Sequence, residues 1–177
     1  MAVRSLAPGE WAVLSLVSER PTHGFAVAKA LGPEGEVGRV WSLSRPLVYR
    51  ALDTLVDAGL VERGAVEPSS RGPQRTPIRA TVRGRRRVGG WLREPVEHVR
   101  EVRSLFMLKL LFTERSGLDP APLFAAERAF LVPTLAALER KVKEEHGFER
   151  TLAMWRLEST RAVVRFIDAV EVSVTGR

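Results

Sequence analysis

Eight arginines and no acidic residue lie between Arg71 and Arg93. A guanidinium stays protonated at any physiological pH, and its planar fork of donors fits phosphate oxygens and the O6/N7 edge of guanine. A block of one sign is the electrostatic footprint of a polyanion-binding surface, although a run standing alone reads equally as a solvated basic face. Within that block Arg71, Arg75 and Arg79 fall in and beside a turn-rich stretch, where long side chains can reach outward. A second group precedes it: Ser44, Arg45, Tyr49 and Arg50 fall within one helix-length of chain, and each offers a donor to a phosphate or a base. His23 stands apart, at the start of an earlier short segment, as either a phosphate contact or a helix cap.

The chemistry of catalysis has no comparable constellation. His23, His98 and His146 are far apart, with no His-x-x-x-His or Glu-x-x-His pair, and no Gly-x-Ser-x-Gly occurs. Glu144-Glu145 is a carboxylate pair on a charged helix end, where solvation explains it. Gly32, Gly35 and Gly38 follow no strand and precede no Lys-Ser/Thr, so they read as loop punctuation and not as a phosphate cradle. Cysteine is absent, which removes disulfides, thiolate metal sites and thiol nucleophiles. The expectation is a non-enzyme with no cofactor and no metal.

The elements that must position the two basic groups follow from periodicity. Pro8, Gly9 and Glu10 open a helix with Trp11, Leu14, Leu16 and Val17 on one face. Thr22 is read as the N-cap of a short helix from His23 to Leu31, whose apolar positions are Phe25, Val27, Ala28 and Leu31. Ser44 is read as the cap of a third helix over 45–58, where Pro46 sits in the first turn and Val48, Leu52 and Leu55 share a buried face. Gly59 ends that helix. Leu60–Arg63 and Thr76–Val82 alternate as two extended segments of a hairpin whose tip carries Arg71 and Arg75. Thr81 is read as the cap of a fourth helix, with Val88, Trp91 and Leu92 inward. Helix, helix, helix, strand, basic tip, strand, helix is the order of a winged helix-turn-helix. Such a fold sets one capped helix in the major groove of duplex DNA and lays its hairpin along the backbone or the minor groove.

Five segments resemble the PadR family of bacterial regulators. Thr22-His23-Gly24-Phe25 is similar to its His-Gly-Tyr element, and Ser44 to Leu52 to its Ser-x-Gly-x-x-Tyr-x-x-Leu recognition helix. Leu55 to Val61 resembles its Leu-x-x-x-Gly-Leu-Val exit, Arg71-Gly72-Pro73-Gln74-Arg75 its wing tip, and Thr81 to Arg87 the opening of its fourth helix. Pro46 stands where the family tends to have glycine, Ile78 replaces an aromatic residue and Ala80 a leucine. The resemblance spans roughly residues 6–93. It implies binding to double-stranded DNA at a pseudo-palindromic operator, repression, release by a small-molecule effector, and dimerisation through a long C-terminal region.

The remaining chain reads as helical. Residues 103–112 are apolar on nearly all sides apart from Lys109, so they demand burial. A helix opening at Asp119-Pro120 turns Leu123, Phe130, Leu131, Leu135, Leu138 and Val142 inward, and Pro133 should kink it. After Gly147, residues Phe148, Leu152, Trp155, Ser159, Ala162 and Phe166 recur at spacings of four and three, the a/d stripe of a packing seam. These helices are read as lacking a core of their own, so the stripe needs a partner, and a two-fold homodimer with Leu152, Trp155, Ala162 and Phe166 in its interface is the simplest supplier.

The fold class expected is mostly α with a small β-hairpin: a DNA-binding winged helix over 1–95 and a helical dimerisation and effector domain over 96–177. Of the net charge of +7, residues 1–99 hold +5, from fifteen Lys and Arg against ten Asp and Glu. Hydrophobic residues make up 45%, enough for a real core. The start shows no apolar leader, and the most apolar stretch, Leu105–Phe112, is far below the roughly 20 residues of a membrane span. A cytoplasmic protein without membrane contact is expected. The rival function is a winged helix whose arginines grip an acidic protein partner.

Overall fold

Pro8 occupies the first turn of helix α1 (Pro8–Glu19), and the Glu10 carboxylate accepts a hydrogen bond from the Ala7 N–H at 2.8 Å. That bond satisfies one of the donors a helix start leaves open. The computed structural model describes residues 5–65 and 76–175. The hairpin tip, with Arg71 and Arg75, lies outside the described residues. After α1 come α2 (Gly24–Ala30), α3 (Arg45–Asp57), strands β1 (Val61–Arg63) and β2 (Ile78–Ala80), and α4 (Val82–Trp91). A 3-10 turn (Val99–Glu101) and a π turn (Val102–Phe106) lead into α5 (Met107–Arg115), followed by α6 (Ala121–Glu144) and α7 (Gly147–Thr175). Among the described residues the protein is mostly helical with one two-stranded antiparallel sheet, as the periodicity implies.

The chain divides into two compact units. Met1–Leu92 and Met107–Gly117 form the first, and Arg93–Phe106 with Leu118–Arg177 the second. The chain thus leaves the first unit close to residue 95 but returns to it for α5, which a cut at one point cannot express.

In the first unit α1 is the central post. Every residue from Ala12 to Val17 is buried, because α2, α3, α4 and β2 all pack against it. Val48, Leu52 and Leu55 of α3 are at most 1% exposed. Gly59 takes φ +66°, the left-handed conformation that ends a helix at least cost without a Cβ. The strands pair Val61 with Ala80, Glu62 with Arg79 and Arg63 with Ile78. The second extended segment is shorter than read from sequence, because Thr81 leaves the sheet to cap α4, accepting from the Gly84 N–H at 3.0 Å. Gly84 packs against the hairpin: a Cβ there would lie 2.1 Å from the Leu60 carbonyl oxygen.

One reading of α2 needs correction. Thr22 is not its cap. Its backbone pairs both ways with Ile78, at 2.9 and 2.7 Å, extending the sheet by one bridge. His23 takes the cap position instead, its Nδ1 accepting from the Ala26 N–H at 3.2 Å. Phe25 is 57% exposed, since Gly24 and Val27 form the buried face of this short helix.

Lys109, the polar exception in the apolar stretch, is itself buried. It is 2% exposed, with Nζ donating to the Trp91 carbonyl at 2.8 Å and lying 5.0 Å from the centroid of the Trp91 ring. Trp91 stacks on Trp11 at 4.7 Å, and the Arg87 guanidinium lies 5.7 Å from the Trp11 ring. A desolvated ammonium is tolerated where a carbonyl and a π-face replace water. Arg115, at the end of α5, bonds both carboxylate oxygens of Glu19 at 2.7 and 2.8 Å and Glu36 at 2.7 Å.

The second unit has an internal core, contrary to the sequence reading. Leu123, Phe124, Leu131 and Leu138 of α6 and Ala153, Leu157 and Ile167 of α7 are buried along the seam of the two helices, and Phe106 lies 6.3 Å from Phe124 between ring centroids. Phe130, read as inward, is 37% exposed. Glu127 takes a core position, accepting from the Val96 N–H at 2.8 Å. α6 runs through Pro133 without ending. By length and apolar composition α6 alone, among the described residues, would suffice to cross a membrane. Its most buried side chains pack along the seam with α7 in this unit.

Candidate nucleic-acid interface

Helix α3 buries one side and presents the other to solvent. Ser44, Arg45, Pro46, Leu47, Tyr49 and Arg50 are all exposed, while Val48, Ala51, Leu52 and Leu55 hold the helix against the core. Ser44 occupies the cap position, but its hydroxyl makes no capping hydrogen bond and stays available. The sequence therefore locates this helix start correctly and misreads the bond.

The charges sort into two kinds. Arg63 is bonded to Asp53, and Arg79 donates from Nε to Glu62 at 2.6 Å directly across the hairpin. Arg83 and Arg85 of α4 donate to the carbonyls of Ala58 (3.4 Å) and Ala80 (2.6 Å). Arg87 is engaged with Trp11. Among the described residues, no carboxylate pairs with Arg45 or Arg50. Much of the basic block thus holds the hairpin and α4 together, while Arg45 and Arg50 on the exposed side of α3 keep their charge without a carboxylate partner.

Arg45 has a different neighbourhood. Its guanidinium carbon lies 5.6 Å from the centroid of Phe25 and 5.8 Å from that of Tyr49. The Tyr49 ring rests on the start of α2, where a Cβ on Gly24 would fall 2.8 Å from Tyr49 Cε1. Gly24 thus sets how closely α2 and α3 approach. Phe25 is the residue of this face that the sequence missed, since it stood there only as an apolar position of α2. His23 is half-buried and spends its Nδ1 on the cap, which leaves Nε2 as its remaining nitrogen.

A cavity of about 570 Å³ opens elsewhere in this unit, lined by α2, by the loop after it, and by Glu19, Glu36 and Arg115. The Arg115 hydrogen bond and positive charge hold the Glu36 carboxyl below its ordinary range. Among the described residues no cluster of His, Cys, Asp and Glu is arranged to hold a metal ion.

A compact post carrying two helices, a hairpin and an exposed cationic helix face defines the winged helix-turn-helix class of DNA-binding proteins. Residues 13–89 match the model of the transcriptional regulator PadR-like family. Among solved structures the chain is similar to Bacillus subtilis PadR in complex with operator DNA, at 20% identity, 91% of this chain and 96% of that one, TM-score 0.47. It is similar also to Bacillus subtilis PadR in complex with p-coumaric acid, at 18% identity, 98% and 99% coverage, TM-score 0.42. A third is the PadR-like regulator BC1756 from Bacillus cereus, at 19% identity, 95% and 98% coverage, TM-score 0.41. No curated protein sequence matches the chain.

Proposed function

We propose that the protein is a homodimeric, sequence-specific transcriptional regulator that represses by occupying a pseudo-palindromic operator in the cytoplasm. The observation that carries this reading is the exposed outer face of α3, where Arg45 and Arg50 stand without carboxylate partners while Arg63 and Arg79 nearby are neutralised. An unpaired cation keeps its attraction for phosphate and its donors for a base edge. In this reading Ser44, Arg45, Tyr49 and Arg50 enter the major groove. Arg79 and the tip residues Arg71 and Arg75 follow the backbone, and His23 approaches a phosphate through Nε2.

The dimer is proposed from the stripe on α7. Phe148 and Trp155 are 76% and 71% exposed, Ala162 is exposed, and Leu152 and Phe166 are half-buried. The α6–α7 seam uses another face of the same helix, so the stripe is left for a second copy. Two-fold symmetry would set two recognition helices about 34 Å apart along one side of the duplex. Release by a small-molecule effector that binds the free form better than the DNA-bound form is part of this proposal. No cofactor, metal or catalytic step belongs to this function.

The test is selection from a random duplex pool by the purified full-length protein, followed by sequencing. Two inverted half-sites one helical turn apart are expected. Enrichment of a single, unrepeated site would remove the dimeric operator, and no enrichment at all would remove sequence specificity.

A further inference from the structure

We infer that Phe25 is a positioning residue for sequence reading, forming with Tyr49 an aromatic cradle that orders the Arg45 guanidinium for the edge of a guanine. The inference rests on the reading of α3 as the DNA-reading helix. Phe25 leaves more than half of its surface in water, at 57%, and Tyr49 is 37% exposed. Both rings lie within the roughly 6 Å over which a guanidinium is attracted to a π-face.

The cradle is fixed from beneath. The His23 cap bond sets the first turn of α2, and the His23 ring lies 6.5 Å from that of Phe25. Gly24 admits the Tyr49 ring against the helix, where any Cβ would collide with it.

The chemistry of the contact matters. A carboxylate partner would consume the in-plane N–H donors of an arginine, as Glu62 consumes the Nε of Arg79. A π-face steadies the same charge and leaves those donors free. An arginine at the first position of a recognition helix carries a long, mobile side chain, and ordering it beforehand lowers the entropy lost on binding. N-terminal residues of such a helix meet base edges, and the commonest base partner of arginine is guanine, through O6 and N7.

The experiment compares wild type, F25A, F25L, F25Y, R45A and F25A/R45A in the full-length protein. The probes are a duplex selected from a random pool, a scrambled duplex of the same composition, and the selected duplex with its half-site guanines replaced by 7-deazaguanine, which lacks N7. F25A and F25L should each lower the selected-to-scrambled affinity ratio about threefold to tenfold, with affinity for scrambled DNA held within twofold. F25Y should retain the wild-type ratio. F25A should add nothing in the R45A background, and the 7-deazaguanine penalty of wild type should shrink in F25A and vanish in R45A. A merely structural role for Phe25 predicts something else: parallel loss on both duplexes, or effects that add to R45A, and either overturns the inference. If wild type binds no duplex, the DNA reading fails and this inference with it. If wild type discriminates and F25A discriminates equally well, only the role of Phe25 falls.

Discussion

Replacing Glu62 by glutamine should strengthen DNA binding. Its carboxylate accepts from Arg79 Nε at 2.6 Å across the hairpin, and the two side chains are 48% and 65% exposed. An exposed pair of this kind is worth about 0.2–1 kcal/mol, so the fold should lose no more than that when the pair is broken. The same energy opposes any contact between Arg79 and a phosphate, because the arginine must first leave its partner. Glu62→Gln removes that cost and also a negative charge that would face the DNA backbone. At about 0.1 M salt, where charges more than about 10 Å apart are largely screened, the expected gain in affinity is about 1.5- to 5-fold for any duplex. If Arg79 gains one full phosphate contact, the slope of log K against log salt should steepen by about 0.9. Fluorescence anisotropy on a scrambled duplex at several salt concentrations measures both quantities. Unchanged affinity with an unchanged slope would show that Arg79 only holds the hairpin, and the wing base would leave the interface.

Three further outcomes are expected. Arg50→Ala should cost about 1–3 kcal/mol on a selected duplex and much less on a scrambled one, because a base contact is lost and not only a charge; equal losses in a binding titration would make Arg50 a phosphate contact. Trp155→Asp should convert the dimer to a monomer in light scattering, with the far-ultraviolet helix signal retained because Trp155 is 71% exposed within its own chain; a variant still at twice the chain mass would take Trp155 out of the interface. Glu36 has its folded-state pKa lowered by Arg115, so the stability it lends is complete above the ordinary carboxylate range and fades as pH falls through the lowered value. The Tm gap between wild type and Glu36→Gln should therefore close on acidification, and a gap that widens would reverse the sign of this contact.

Much of the DNA-binding unit was legible because its signals are local. The Val48, Leu52 and Leu55 face, the Gly59 stop and the Thr81 cap each depend on residues a few positions apart, and each is found where the spacing puts it. What was missed or misread shares a cause, which is partners distant in sequence. Thr22 is drawn into the sheet by Ile78, so the cap passes to His23. Lys109 is buried because a carbonyl and a ring at position 91 receive it, which no window around Lys109 contains. Phe25 reads only as an apolar position of α2, and the approach of Arg45 and Tyr49 shows why it stays outside. The α7 stripe was legible as a stripe. Its register against α6 was not, because that helix carries two apolar faces and the sequence does not rank them: Ala153, Leu157 and Ile167 take the internal seam. The arginine block shows the limit of charge counting. The same guanidinium reads as a DNA contact from composition and as a structural tie once Glu62, Ala58 or Ala80 stands beside it.

In the proposed function this chain binds duplex DNA through Arg45 and Arg50, which lack carboxylate partners on the winged-helix face. A salt titration of the full-length protein on a selected duplex, followed by anisotropy, tests it most directly. Affinity should fall linearly on a log–log scale with a slope of several units, at about 0.9 per phosphate contacted, and Arg45→Ala/Arg50→Ala should weaken binding throughout. No binding to any duplex in dilute buffer, or binding indifferent to salt and to both arginines, would contradict it.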